Sequence, residues 1–224
     1  MTAHSSRAVV FTGPSLHPDE AATLLNATFL PPIKRGDIAR LRDSQPAIVG
    51  IIDGEFYQNL AVTPKEVLSL LETGVSVYGG ASMGALRAVE LSRYGMKGVG
   101  SVFRLFRRGV LDADDEVALA YEKETFQAVS VPLINTRYAL RAAVRQRILN
   151  RTEAGQIVAR VKSAYFPQRT RALTLSIAAE ILGSRRSNQL RDTLCDNAYD
   201  IKRTDAKLLV DRIRKDIELV AKPT

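Results

Sequence analysis

The first half of the 224-residue chain alternates short apolar segments, typical of buried strands, with segments that carry helix signals. The clearest strand patterns lie at residues 7–13 (RAVVFTG), 46–54 (PAIVGIIDG) and 75–80 (VSVYGG). Helix patterns follow them, such as TPKEVLSLLETG at 63–74, with a threonine cap, an early proline and a glycine stop. Strands that alternate with helices pair in parallel through right-handed crossovers. We therefore predict an α/β fold: a parallel sheet with flanking helices, Rossmann-like or flavodoxin-like, in three layers.

The second half of the chain changes character, because almost every segment after GVLDADDEVALAYEKETF at residues 109–126 has helical periodicity. The final pattern, at residues 204–220, places five apolar residues on one stripe: Leu208, Leu209, Ile213, Ile217 and Val220. The sequence thus predicts an α/β core over residues 1–110, followed by a mainly helical region over residues 111–224.

Composition and charge exclude several classes of protein. The chain is 46% hydrophobic and 25% charged, as in ordinary globular proteins, and no apolar run reaches the roughly 18 residues that a membrane span needs. Its single cysteine cannot form an internal disulfide, which favours a cytoplasmic protein. The net charge of +8 suits an acidic partner or substrate. Nucleic acid is not the expected partner, because no zinc-finger, RNP or helix-turn-helix signature accompanies this charge.

The most informative motif is Gly80-Ala81-Ser82-Met83-Gly84, a G-x-S-x-G sequence between a strand and a helix, the context of a nucleophile elbow. Ser82 is therefore a candidate nucleophile, and the amide of Met83 at the helix start suits an oxyanion. Gly13 and Ser15, in the loop after the first strand, can offer a second donor. Two alternatives stay open: Ser82 as a helix cap that binds phosphate or carboxylate, and Ser82 as part of a plain turn.

The general base is harder to assign. A hydrolase of the G-x-S-x-G type has a histidine downstream of its serine, whereas His4 and His17 both lie upstream. His17 begins a helix beside the first loop and is a possible base. A carboxylate is a second possibility, with Asp53 and Glu55 at a neighbouring strand end; the alternative role for Asp53 is a turn residue or helix cap. A desolvated lysine is a third, with three candidates: Lys34, Lys65 and Lys97.

We predict neither a metal nor a cofactor. The sequence contains no histidine pair, CxxC, HExxH, Walker A motif or G-x-G-x-x-G spacing. One acidic run has the composition of a magnesium site, although an acid-rich helix start is the commoner explanation: Asp112, Asp114, Asp115 and Glu116.

Taken together, the segments resemble the core domain of TfuA-like proteins. Seven of them occur in that order between about Val9 and Arg137: VVFTGPSL, PPIKRGDI, IIDGEF, GGASMGALRAVEL, YGMKGVGSVF, GVLDADDEVAL and PLINTR. The most specific part is ASMGALRAVELSRYGMKGVG at residues 81–100. Glu55 departs from the family pattern, which often has an apolar residue there, so it is not assigned a family catalytic role. The tail beyond about residue 150 carries no recognisable motif.

The resemblance implies that the chain accompanies a YcaO-type ATP-dependent enzyme, which converts a backbone amide of a peptide or protein to a thioamide. One implied role is a thiohydrolase that releases sulfide from a thiocarboxylated, ubiquitin-like sulfur carrier. Ser82 would then be the nucleophile, and Arg87 would meet the carrier's negative carboxyl terminus, unless Arg87 only pairs with Glu90. The alternative role is a non-catalytic partner that binds and activates or recruits the YcaO enzyme. The missing downstream histidine argues against a third possibility, a small-molecule serine esterase.

Overall fold

A computed structural model describes residues 8–41, 44–56 and 60–221, with the backbone only at residues 220 and 221. It contains a five-stranded, all-parallel sheet with flanking helices and a helical C-terminal region, which confirms the predicted fold class. The strands are β1 (Ala8–Phe11), β2 (Thr28–Leu30), β3 (Ile48–Ile51), β4 (Ser76–Gly80) and β5 (Lys97–Val99). The helices are α1 (Pro18–Leu24), α2 (Asp37–Arg40), α3 (Pro64–Glu72), α4 (Met83–Leu91), α5 (Gly100–Arg107), α6 (Leu133–Arg145), α7 (Arg151–Ser163), α8 (Arg171–Leu182), α9 (Ser184–Cys195) and α10 (Ile201–Ala221).

The strand order is β2-β1-β3-β4-β5, which is the flavodoxin-like order. The chain moves from β1 to one side to form β2 and then returns to the other side for β3, so the order reverses between β1 and β3. In open sheets of this type, ligands bind beyond the carboxyl ends of the strands at such a reversal. The functional site is therefore expected where β1 and β3 end, next to the end of β4.

The described residues form two compact units. The first holds the residues up to Asp112 and those from Lys202 onward; the second holds Ala113–Ile201. α10 contributes to the core of the first unit, where Ala206, Leu209, Val210 and Ile213 are buried in the same cluster as residues of β1 and β4. The apolar stripe predicted for α10 was wrong at Leu208, which is 46% exposed. The side chain of Val220 lies outside the described residues.

The second unit has its own core, formed mainly by α6 to α9 around Leu140, Ile157 and Leu190. It also holds a buried ion pair: the Glu116 carboxylate, 1% exposed, accepts hydrogen bonds of 2.9 and 2.7 Å from the Arg137 guanidinium. Removal of one partner from such a pair leaves an uncompensated charge, so both residues are needed for stability.

The turn between β4 and α4 packs closely against β3. A Cβ at Gly84 would lie 1.7 Å from the carbonyl oxygen of Ile51 in β3, and one at Gly79 would lie 2.1 Å from the carbonyl oxygen of Gly84. Both contacts are with backbone, which cannot move aside without disturbing the sheet. The glycines of the G-x-S-x-G region therefore allow α4 to start directly against β3.

Gly84→Ala is expected to destabilise the protein by about 3 kcal/mol or more, because the new methyl group overlaps the β3 backbone. Gly155→Ala is the matched control: a Cβ at Gly155, in α7, would have no atom within 4 Å beyond the adjoining backbone of its own helix. This substitution is expected to be neutral or to add up to about 1 kcal/mol. Urea unfolding measures both, and equal stability of the two variants would contradict the close approach.

α10 is also attached to β4 by a polar contact. The Tyr78 hydroxyl donates a hydrogen bond to Asp216 and accepts one of 2.8 Å from Lys97 Nζ. The hydrogen bond from Tyr78 holds the pKa of the Asp216 carboxyl below its usual range, while burial raises the pKa of the Tyr78 hydroxyl. Because the pKa of Asp216 is lower in the folded chain, its ionised form stabilises the fold.

This stabilisation is present above the ordinary aspartate pKa of about 3.9 and is lost as the pH falls through the lower, folded value. Tyr78→Phe removes the hydrogen bond that lowers the pKa of Asp216. The gap in unfolding free energy between the wild type and Tyr78→Phe is therefore expected to be largest near neutral pH and to narrow below about pH 4. Urea unfolding at both pH values measures the gap, and a constant gap would argue against this contact.

Candidate functional site

Ser82 lies at the end of β4, immediately before α4. The preceding residue, Ala81, has φ of 62°, a left-handed conformation that costs a non-glycine residue about 1–3 kcal/mol. The Ser82 N–H donates 2.7 Å to the Gly80 carbonyl, which closes the turn. Ser82 is 1% exposed, and its Oγ has no hydrogen-bond partner among the described residues. The strained turn thus holds a buried hydroxyl that makes no hydrogen bond within the described part of the chain.

The absence of a side-chain bond distinguishes Ser82 from three other polar residues that precede helices. The side chains of Thr63, Asn150 and Thr170 each accept a hydrogen bond from the first turn of the helix that follows. Ser82 occupies the same position before α4, yet its side chain makes no such bond. The hydroxyl is therefore not used as a helix cap.

The end of β3 lies directly against this turn. The Gly84 N–H donates 3.2 Å to the Ile52 carbonyl, and a Cβ at Gly54 would lie 2.7 Å from the Met83 side chain. Asp53 stands between these two contact points. At the start of α4, helix geometry also leaves the Met83 N–H without an intrahelical acceptor. An amide donor and the chain segment that carries Asp53 are thus placed beside the turn that carries Ser82.

Asp53 is 2% exposed and links the ends of β1 and β3. Its Oδ1 accepts 2.6 Å from the Ser15 hydroxyl, and its Oδ2 accepts 2.9 Å from the Ser15 N–H. Both donors of Ser15 are therefore used by Asp53. Gly13 is buried in the same loop, two residues before Ser15. The structure thus brings Ser15 to Asp53, as expected for neighbouring strand ends.

A second charged group, which the sequence analysis missed, reaches Asp53 from α10. Lys202 is 2% exposed, and its Nζ lies 3.9 Å from Asp53 Oδ1. The lysines considered from sequence, in contrast, are exposed: Lys34, Lys65 and Lys97. One signal was available, because Lys202 precedes Ala206, Leu209 and Ile213 at the i, i+4, i+7, i+11 spacing of the buried face. A lysine on such a face indicates a buried charge.

Arg87 and His17 have other contacts. The Arg87 Nε donates 2.9 Å to the Val62 carbonyl, and its Nη1 pairs with Glu90 at 2.6 Å, which is the ion pair considered as the alternative from sequence. His17 caps α1: its Nδ1 accepts 3.3 Å from the Asp19 N–H, and its side chain is 46% exposed. His4 lies outside the described residues.

The acidic run of the sequence is engaged in ion pairs. Asp115 pairs with Arg169, and Glu116 pairs with Arg137. Over residues 8–41, 44–56 and 60–221, no group of three His, Cys, Asp or Glu side chains is arranged to hold a metal ion. Within the same described part of the chain, no helix combines the length and the apolar character that crossing a membrane requires.

These features define a flavodoxin-like α/β protein with a strand–turn–helix elbow, whose buried serine hydroxyl has no partner among the described residues. The model of the TfuA-like protein family matches residues 53–170, just over half of the chain, so the chain belongs to the TfuA-like family. This confirms the resemblance seen in the sequence and supports an accessory role in the YcaO-associated pathway. A comparison with curated proteins finds no match. The matched segment includes Asp53, Ser82 and Arg87, whereas Ser15 and Lys202 lie outside it.

Arg87→Gln is expected to lower the free energy of unfolding by about 1–3 kcal/mol, because the buried Val62 carbonyl loses its donor. Arg93→Gln is the matched control: its guanidinium stacks on the exposed Tyr94 ring at 5.3 Å, and a change within about 0.5 kcal/mol is expected. Urea unfolding measures both. If Arg87→Gln proves as stable as the wild type, the arginine has no structural role and remains free to bind a substrate.

Proposed function

We propose that the protein is a thiohydrolase, which releases sulfide from a thiocarboxylated, ubiquitin-like carrier by acyl transfer at Ser82. The observation that carries this proposal is the buried Ser82 Oγ without a hydrogen-bond partner among the described residues. A buried polar group left unpaired costs about 1–3 kcal/mol, and such groups in native proteins often have a functional explanation. A hydroxyl held at a strained turn, before a helix N-terminus, is suited to nucleophilic attack.

In the first step, Ser82 Oγ attacks the thiocarboxylate carbon. The new O–C bond forms as the carbonyl electrons move onto its oxygen, which the Met83 N–H at the start of α4 is suited to stabilise. The C–S bond then breaks. The hydroxyl proton of Ser82 ends on sulfur, so that bisulfide leaves and an ester of Ser82 remains. In the second step, water cleaves this ester to give the carboxylate of the carrier, a proton and free Ser82.

This reaction explains how the site can lack a downstream histidine. In the planar thiocarboxylate the negative charge is shared between sulfur and oxygen, so sulfur is a weak base. In the tetrahedral adduct this delocalisation is lost, and sulfur becomes basic enough to take the proton that Ser82 gives up. The substrate thus supplies the acceptor that a histidine provides in other serine hydrolases. The leaving oxygen of an ordinary ester stays a very weak base in the adduct and is no such acceptor, which favours a thiocarboxylate over an ester as the substrate.

The released bisulfide would be consumed by a YcaO-type ATP-dependent enzyme in the cytoplasm, for the thioamidation of a peptide or protein. Family membership supports this accessory role. The net charge of +8 favours association with an acidic carrier or substrate. In the alternative function, the protein performs no chemistry and acts by binding and activating or recruiting the YcaO enzyme.

The test is bisulfide release from a thiocarboxylated carrier protein in the absence of the YcaO enzyme. Ser82→Ala is expected to lower the rate by at least about 10²-fold, because the nucleophile is lost. Ser92→Ala is the matched control and should keep the wild-type rate, since Ser92 is exposed at the other end of α4. Rapid acid quenching, followed by mass spectrometry of the peptide that contains Ser82, should detect the acyl ester.

Two results would contradict the proposal: equal release by the wild type and Ser82→Ala, or no release above background from a competent carrier. Either result would favour the non-catalytic alternative. Binding of the wild type to the YcaO enzyme, with a gain in thioamidation that Ser82→Ala preserves, would then establish it.

A further inference from the structure

Lys202 is a charged residue without a surface role. It is 2% exposed at the start of α10, and its Nζ lies 3.9 Å from Oδ1 of Asp53, which is itself 2% exposed. Burial of either charge alone is unfavourable, and burial of both is tolerated when they lie close together and form further hydrogen bonds. Asp53 forms two such bonds, both with Ser15. The contacts therefore connect the charge of Lys202 to the loop that follows β1.

The start of α10 is held in place on both sides of this contact. Asp205, with no exposed surface, accepts hydrogen bonds of 2.8 and 2.7 Å from the N–H groups of Ser101 and Val102 in the first turn of α5. On α1, Glu20 pairs with Arg203 at 2.8 Å and with Lys207 at 2.7 Å. Residues 202–207 are thus fixed against two other helices, and Lys202 is directed to Asp53 by a rigid element.

Asp53 adjoins the Ser82 turn, as shown by the contacts of its two neighbours, Ile52 and Gly54, with residues 83 and 84. A carboxylate that is displaced there would also displace Ser15 and the end of β3. On these grounds we infer that Lys202 is a positioning residue of the Ser82 site: its ammonium holds the Asp53 carboxylate that orders the loop after β1. This inference rests on the proposed thiohydrolase reaction. It assigns a role to α10, which lies outside the segment that the family model matches.

The test is a double-mutant cycle in the full-length protein, with Lys202→Met, Asp53→Asn and the double variant. Methionine keeps the length of the lysine stem and removes only the charge. Lys202→Met is expected to lower kcat for bisulfide release at least tenfold. If Lys202 acts through Asp53, the double variant should have the kcat of Asp53→Asn to within twofold. Lys215→Met is the matched control on the same helix, because Lys215 is exposed and pairs with Asp211 of α10 itself, and it should keep the wild-type kcat to within twofold.

A purely structural role for Lys202 would give a different result. Lys202→Met would then lower kcat by the same factor in the Asp53→Asn background as in the wild type, so the two factors would multiply in the double variant. Thermal unfolding adds a readout that requires no activity. The double variant buries neither charge, so its unfolding midpoint should lie above that of Lys202→Met. If Lys202→Met does not fold, the double variant should still fold.

The outcomes separate this inference from the proposed function. Release that survives Ser82→Ala contradicts the proposed reaction itself. The inference about Lys202 is overturned if Ser82→Ala is inactive while Lys202→Met keeps the wild-type kcat. It is also overturned if the losses in kcat multiply, or if the double variant is no more stable than Lys202→Met.

Discussion

The buried carboxylate of Asp53 connects three parts of the chain that are distant in sequence. It follows β3, accepts two hydrogen bonds from Ser15 after β1 and lies 3.9 Å from Lys202 at the start of α10. A buried carboxylate is stable only with such partners, because its transfer from water is costly. The positions of the β1 loop and of α10 are therefore coupled to one charge at the reversal of the strand order, where open α/β sheets bind their ligands.

The turn at Ser82 depends on a second constraint, which is steric. α4 can begin against β3 only because positions 79 and 84 lack side chains. This close approach brings the helix start to Asp53, and it also buries Ser82. A side chain at either position would overlap neighbouring backbone, so the close approach of α4 depends on these glycines. Gly84 of the G-x-S-x-G pattern is consequently an architectural requirement, as is Gly79 just before it.

The sequence predicted the elements whose signals are local. β1, β3 and β4 are apolar segments with clear ends, and the Thr63 cap of α3 is present as predicted, with Glu66 completing the capping box. β2 and β5 were not predicted, since three residues are too few to show a period, and they form because a neighbouring strand is available to pair with them. Ser82 and Asp53 were found because each follows a strong strand pattern. Lys202 was not, because its partner lies 149 positions earlier (202 minus 53) and no local pattern predicts that contact.

The depth of the Ser82 hydroxyl bears on the substrate that the proposed reaction can accept. At 1% exposure, Ser82 is out of reach of an acyl group attached to a rigid or branched surface. An acyl group at the end of a flexible, unbranched chain can enter a narrow opening, and the carboxyl terminus of a protein is such a group. Burial therefore favours a carrier protein with a free, extended terminus over a small ester. The role of sulfur as the proton acceptor favours the same substrate, because an ordinary ester lacks that sulfur.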